Sequence, residues 1–157
     1  MTLLWMMRII KGNKVRLMNN PGYEKQVECK KRVLVVDDEV LILNILRVQL
    51  WAAGFQVSVA TNGKEALESF IDTKPDIVLT DLIMPDMDGA YVLAQIREIS
   101  SIPVIIVSAI EPREMGVYNL IHGADGYITK PFYTETLISK IVTLTSHPRA
   151  LATGSKK

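Results

Sequence analysis

The chain has 157 residues, 48% of them hydrophobic and 22% charged, which is the balance of one water-soluble globular domain with enough apolar material for a core. The formal charge of +1 is unevenly spread: residues 1–32 hold eight Lys/Arg against two Asp/Glu, and residues 33–157 hold ten against fifteen. An acidic body argues against a nucleic-acid-binding surface. The single cysteine, Cys29, excludes an internal disulfide and a cysteine zinc site, and fits a reducing, cytoplasmic setting.

The opening Met1-Thr-Leu-Leu-Trp-Met-Met-Arg-Ile-Ile10 is apolar but shorter than the roughly 20 residues a bilayer span needs. Its basic residues follow the apolar stretch, the reverse of a signal peptide. Residues 1–30 are therefore expected as a basic extension, disordered or loosely packed. An upstream start with Met18 as the true first residue, and a membrane-surface anchor, stay open beside that reading. No transmembrane segment is expected.

From Lys31 onward the pattern is regular. Val33-Leu-Val-Val36 is a short, fully apolar, β-branched run, which suits a strand buried on both faces. A helix is expected over Val40–Ala53, with Leu41, Ile45 and Val48 on one side and Gly54 as its stop. Phe55–Ala60 alternates and reads as an edge strand. Asn62-Gly63 turns into a helix over Lys64–Asp72 that points Ala66, Leu67 and Phe70 inward. Ile77–Thr80 is a second buried strand, and Met84–Gly89 a loop of turn formers. A helix follows over Ala90–Ile99, then a third buried strand over Pro103–Val107. Glu111–His122 reads as a short, irregular fourth helix, Gly126–Ile128 as a brief fifth strand, and Thr134–Thr145 as a closing helix. Residues 147–157 form a short tail, and the 12 residues from Ser146 are too few for an output domain. The expected fold is a doubly wound α/β sheet of five parallel strands with helices on both faces.

Polar residues interrupt this pattern at the carboxyl ends of strands: Asp37-Asp38-Glu39, Asp81, Ser108, and Lys130-Pro131. Ligands of such sheets bind in the crevice outside those ends. In the flavodoxin-like strand order 2-1-3-4-5, strands one, three, four and five are contiguous, so the four signals meet at one site. Clustered carboxylates favour a cation, and oxygen donors with a phosphate select Mg²⁺. Aspartate is a nucleophile toward phosphorus, and a lysine can stabilise the charge that grows on the phosphoryl oxygens. Plainer roles exist for each residue taken alone. Asp37 or Asp38 can cap a helix, Ser108 with Glu111 spells a capping box, and Asp81, Lys130 and Tyr127 can be ordinary turn and strand residues. Their occurrence together, in order, favours the site.

Val33-Leu-Val-Val-Asp-Asp-Glu39, Asp76-Ile-Val-Leu-Thr-Asp-Leu-Ile-Met-Pro-Asp-Met-Asp-Gly89, Pro103-Val-Ile-Ile-Val-Ser-Ala109 and Gly123-Ala-Asp-Gly-Tyr-Ile-Thr-Lys-Pro-Phe132 resemble response-regulator receiver domains, over about residues 31–146. The resemblance implies a stand-alone receiver of a two-component or phosphorelay pathway, a signalling domain that catalyses only its own phosphorylation and dephosphorylation. Asp81 would be the phosphoacceptor. Asp38 would ligate Mg²⁺ directly and Asp37 through water, with the Ile83 carbonyl as a further ligand. Lys130, before a cis Pro131, would bind the phosphoryl group, and Ser108 and Tyr127 would be the switch pair. The implied partners are a sensor histidine kinase or histidine phosphotransfer protein and a downstream protein on the face of the fourth helix, fifth strand and fifth helix, with no DNA-binding domain in this chain. The string Ala124-Asp-Gly-Tyr127 departs from the usual Ala-Asp-Asp-Tyr. The alternatives are a haloacid-dehalogenase-type aspartyl phosphatase, which wants Asp-x-Asp on its first strand, and a scaffold receiver that works without phosphorylation.

Overall fold

A computed structural model of the protein describes residues 31–113 and 121–146, and the backbone of residues 7–10, 14–18 and 24–28. The chain divides into two compact units, Met1–Lys31 and Arg32–Lys157. In the first, strands β1 (Met7–Ile10), β2 (Lys14–Met18) and β3 (Glu24–Glu28) pair as an antiparallel meander in the order β1-β2-β3. The stretch read from sequence as a disordered or loosely packed extension thus carries three paired strands.

The second unit runs β4 (Arg32–Val36), α1 (Val40–Ala52), β5 (Gln56–Ala60), α2 (Gly63–Thr73), β6 (Ile77–Thr80), α3 (Gly89–Ile99), β7 (Val104–Ser108), β8 (Gly126–Thr129) and α4 (Thr134–Ser146). The sheet order is β5-β4-β6-β7-β8, and every neighbouring pair is parallel. Numbered within this sheet, that is the expected order 2-1-3-4-5. The middle of the helix expected over Glu111–His122, residues 114–120, lies outside the described residues.

Alternation along the strands splits the core into two layers. Leu34, Val36, Val78, Val104 and Ile106 pack with Ala66 and Phe70 of α2 and Val92, Leu93 and Ile96 of α3. Val33, Val35, Ile77, Leu79, Ile105 and Val107 pack with Leu43, Leu46 and Leu50 of α1 and Leu137 and Ile141 of α4. In α1 the stripe singled out from sequence faces away from this layer: Leu41, Ile45 and Val48 are exposed. The helix is apolar almost all round, so the direction of its inner face cannot be taken from periodicity.

Local chemistry sets the helix starts. Asn62 accepts a hydrogen bond from the Glu65 N–H at 2.9 Å, and Glu65 reaches back to the Thr61 N–H and hydroxyl at 2.8 Å each. The backbone and side-chain hydrogen bonds from Thr61 hold the Glu65 carboxyl below its usual pKa. Asp88 caps α3 on the Tyr91 N–H at 2.8 Å.

Candidate functional site

The parallel ladder continues one bond past the strand ends. The Asp37 N–H donates to the Ala60 carbonyl at 3.2 Å, the Asp81 N–H to Val36 at 2.9 Å, and the Lys130 N–H to Ser108 at 2.8 Å. Backbone bonds of the sheet therefore bring Asp37, Asp81, Ser108 and Lys130 to one rim. The four signals expected to converge do so.

Lys130 sits between the two buried carboxylates. Its Nζ lies 2.7 Å from Asp37 Oδ2 and 2.9 Å from Asp81 Oδ2. The side chains of Lys130, Asp37 and Asp81 are 16%, 4% and 11% exposed. Each carboxylate gives its other oxygen to a backbone N–H two residues on: Asp37 Oδ1 accepts from Glu39 at 2.9 Å, and Asp81 Oδ1 from Ile83 at 3.2 Å. Asp37 is thus no cap of α1, whose N-cap position, Glu39, has no side-chain bond of its own. Burial works against the charge of Lys130. The hydrogen bonds and attraction of Asp37 and Asp81 outweigh it and raise the lysine pKa above its ordinary 10.5.

Asp38 is exposed at the same rim. One carboxylate oxygen each from Asp37, Asp38 and Asp81 lie within 4.8 Å of one another. Three hard, anionic oxygen donors at that spacing fit a divalent cation such as Mg²⁺. Ser108 is buried, and its Oγ accepts from the Ile110 N–H at 3.3 Å. It forms a local turn in place of the capping box. Tyr127, half-buried, donates its hydroxyl to the Ile110 carbonyl. The Lys130-Pro131 peptide bond is cis, as expected.

Two contributors were not singled out from sequence. Gly89 opens α3 directly against the chain that follows β6, where a Cβ would lie 1.9 Å from the Asp81 carbonyl oxygen. Only glycine allows the helix to start there. Arg97 braces the far end of the sheet, donating to the carbonyls of Gly123 (2.9 Å) and Ile102 (2.7 Å) and to Asp125 (2.6 Å). A glycine beside an N-capping Asp is the sequence signal for the first. Nothing in the sequence marks the partners of the second.

A parallel doubly wound sheet thus carries an acidic cluster and the Lys130 ammonium on its carboxyl rim. Residues 33–142 match the response regulator receiver domain family, and the chain belongs to it. It is a receiver domain of the two-component response-regulator kind. It is 37% identical over 125 residues to the probable transcriptional regulator ycf27 of Guillardia theta, covering 80% of this chain and 49% of that protein. It is 38% identical over 127 residues to the transcriptional regulatory protein PrrA of Mycobacterium leprae, covering 80% and 54%. The chain spans about half the length of the curated relatives it matches. Among solved structures, the Francisella response regulator 1452 receiver domain aligns with a TM-score of 0.69 at 34% identity, covering 74% of this chain and 98% of that one. The Thermotoga maritima response regulator TrrA, solved in complex with Mg²⁺ and BeF, aligns with a TM-score of 0.66 at 33% identity, covering 73% and 98%. Both of these solved structures are of response regulators. The phosphatase alternative finds no support, since β4, the first strand of the parallel sheet, is followed by Asp37-Asp38-Glu39 and not by Asp-x-Asp.

Proposed function

We propose that Asp81 is the phosphoacceptor of this receiver and takes its phosphoryl group from a phosphohistidine. The observation that carries the reading is the Lys130 ammonium bridging Asp37 and Asp81 beside a third carboxylate. An Asp81 oxygen attacks phosphorus, the P–N bond breaks, and its electron pair leaves with the imidazole. Lys130, already 2.9 Å from Asp81, follows the charge onto a phosphoryl oxygen. The Ser108 hydroxyl, whose oxygen accepts from the Ile110 N–H, donates its hydrogen to another phosphoryl oxygen. Asp38 and Asp37, with Asp81 and the Ile83 carbonyl, would hold Mg²⁺, which supplies charge neutralisation on the phosphoryl oxygens.

Ser108 and Tyr127 act as the switch pair in this proposal. They report the phosphorylation state to a protein partner on the face that includes β8 and α4. The donor is a sensor histidine kinase or a histidine phosphotransfer protein. No DNA contact is assigned to residues 33–157, which carry the acidic excess. The single cysteine supports a reducing, cytoplasmic setting, and no helix among the described residues is long and apolar enough to cross a membrane. Chain 31–146 is the receiver module, and residues 1–30 are a separable segment.

The test is labelling by acetyl phosphate with Mg²⁺, read by intact-mass spectrometry. One added phosphoryl group is expected, absent in Asp81→Asn and in EDTA. Full labelling of Asp81→Asn would sink the assignment.

A further inference from the structure

β8 is the last strand in the order of the five-stranded sheet. On α4, Lys140 donates its Nζ to the Tyr127 carbonyl of β8 at 3.3 Å. Gly126 is what lets it in. A Cβ at that position would lie 2.6 Å from Lys140 Cε and 3.4 Å from Cδ. This is the position where the string Ala124-Asp-Gly-Tyr127 departs from the usual receiver pattern. A side chain there forces the lysine stem to shift.

The same tyrosine is tied at its other end. Its hydroxyl donates to the Ile110 carbonyl, and the Ile110 N–H donates to Ser108 Oγ. Hydrogen bonds joined through the covalent frames of Ile110 and Tyr127 therefore link buried Ser108 to the Lys140 ammonium on α4. We propose that Lys140 is a positioning residue for Tyr127: it fixes the strand edge so that the tyrosine hydroxyl reaches Ile110. The acceptor site and the Lys140 ammonium are then coupled, and the coupling is reciprocal. The inference rests on the reading of Asp81 as phosphoacceptor and of Ser108 and Tyr127 as its switch.

The test uses the full chain, isotopically labelled. Lys140→Met keeps the stem and removes the donor, Lys140→Arg restores a donor, and Gly126→Ala keeps the lysine but displaces it. The first readout is the carbonyl carbon and ring resonances of Tyr127 and the amide nitrogen of Ile128, which shares the bonded peptide. The second is affinity for beryllofluoride with Mg²⁺, an acyl-phosphate mimic. Lys140→Met and Gly126→Ala should shift those resonances and weaken binding roughly fivefold, the size of one net hydrogen bond. Lys140→Arg should recover most of it, and in a Tyr127→Phe background the Lys140→Met effect on binding should vanish. Unchanged Tyr127 resonances in Lys140→Met overturn the proposal. So does an equal loss of binding with and without the tyrosine hydroxyl, which would mean that the lysine acts only through helix packing. Wild-type protein that binds no beryllofluoride counts against the Asp81 reading instead, and the resonances of the resting protein still decide whether Lys140 holds Tyr127.

Discussion

Replacing Lys130 by methionine keeps most of the stem and removes the one cation between two buried carboxylates. Asp37 and Asp81 then face each other with oxygens within 4.8 Å and nothing between them. At that distance and an effective dielectric of about 20, the repulsion is about 3.5 kcal/mol. Removing one partner from a buried ion pair costs about 3–5 kcal/mol in comparable sites. We expect Lys130→Met to lose about 3 kcal/mol without metal, or about 10 °C in melting temperature for a unit of this size. The lysine pKa is raised above 10.5, so its contribution is complete at neutral pH and is lost only as pH rises through the higher folded value. The comparison is therefore clean at neutrality. Saturating Mg²⁺ should stabilise the variant more than the wild type, because the cation replaces the missing charge and meets no competing ammonium. Labelling by acetyl phosphate should slow by at least about a hundredfold, since the charge on the transferring group has lost its lysine. Thermal unfolding with and without Mg²⁺ checks the first two points and mass spectrometry the third. A variant as stable as wild type without metal, or one whose deficit Mg²⁺ leaves unchanged, would refute the electrostatic account.

Gly89→Ala puts a methyl into the Asp81 carbonyl with backbone on both sides, so a loss on the order of 3 kcal/mol or more is expected in denaturant unfolding. If Asp81 carries the phosphoryl group, the resemblance to receivers places Ile83 and Ile110, two residues after Asp81 and Ser108, beside the path of attacking water, and neither side chain can orient that water. Ile83→Asn and Ile110→Glu should each speed decay of the labelled protein, about tenfold in combination; unchanged or slower decay removes water positioning as the control. Deleting residues 1–30 cuts at the border between the two compact units and should leave both cooperative melting and labelling intact.

The central strands were legible because β4, β6 and β7 are apolar on both faces, a pattern that only a covered parallel sheet explains. The site was legible because each polar interruption falls at a strand end. What periodicity could not supply was the facing of α1. Its sequence Val-Leu-Ile-Leu-Asn-Ile-Leu-Arg-Val-Gln-Leu-Trp-Ala offers apolar residues in nearly every direction, and packing against β4 and β5 makes the choice. Gly89 and Lys140 were missed for a related reason. Each matters through a neighbour distant in sequence, a carbonyl eight residues back for one and a strand edge for the other.

The ladder bonds that overrun the strand ends have a kinetic corollary. The amides of Asp37, Asp81 and Lys130 are locked into the sheet by the bonds to Ala60, Val36 and Ser108. Their exchange requires the strand ends to open, so in hydrogen exchange they should be protected although they lie at the mouth of a solvent-facing site. A site fastened this way spends little of its binding energy on ordering itself when ligand arrives. Its geometry leans on the sheet, so a lesion deep in β4 or β6 would be felt at Asp37 and Asp81 as well.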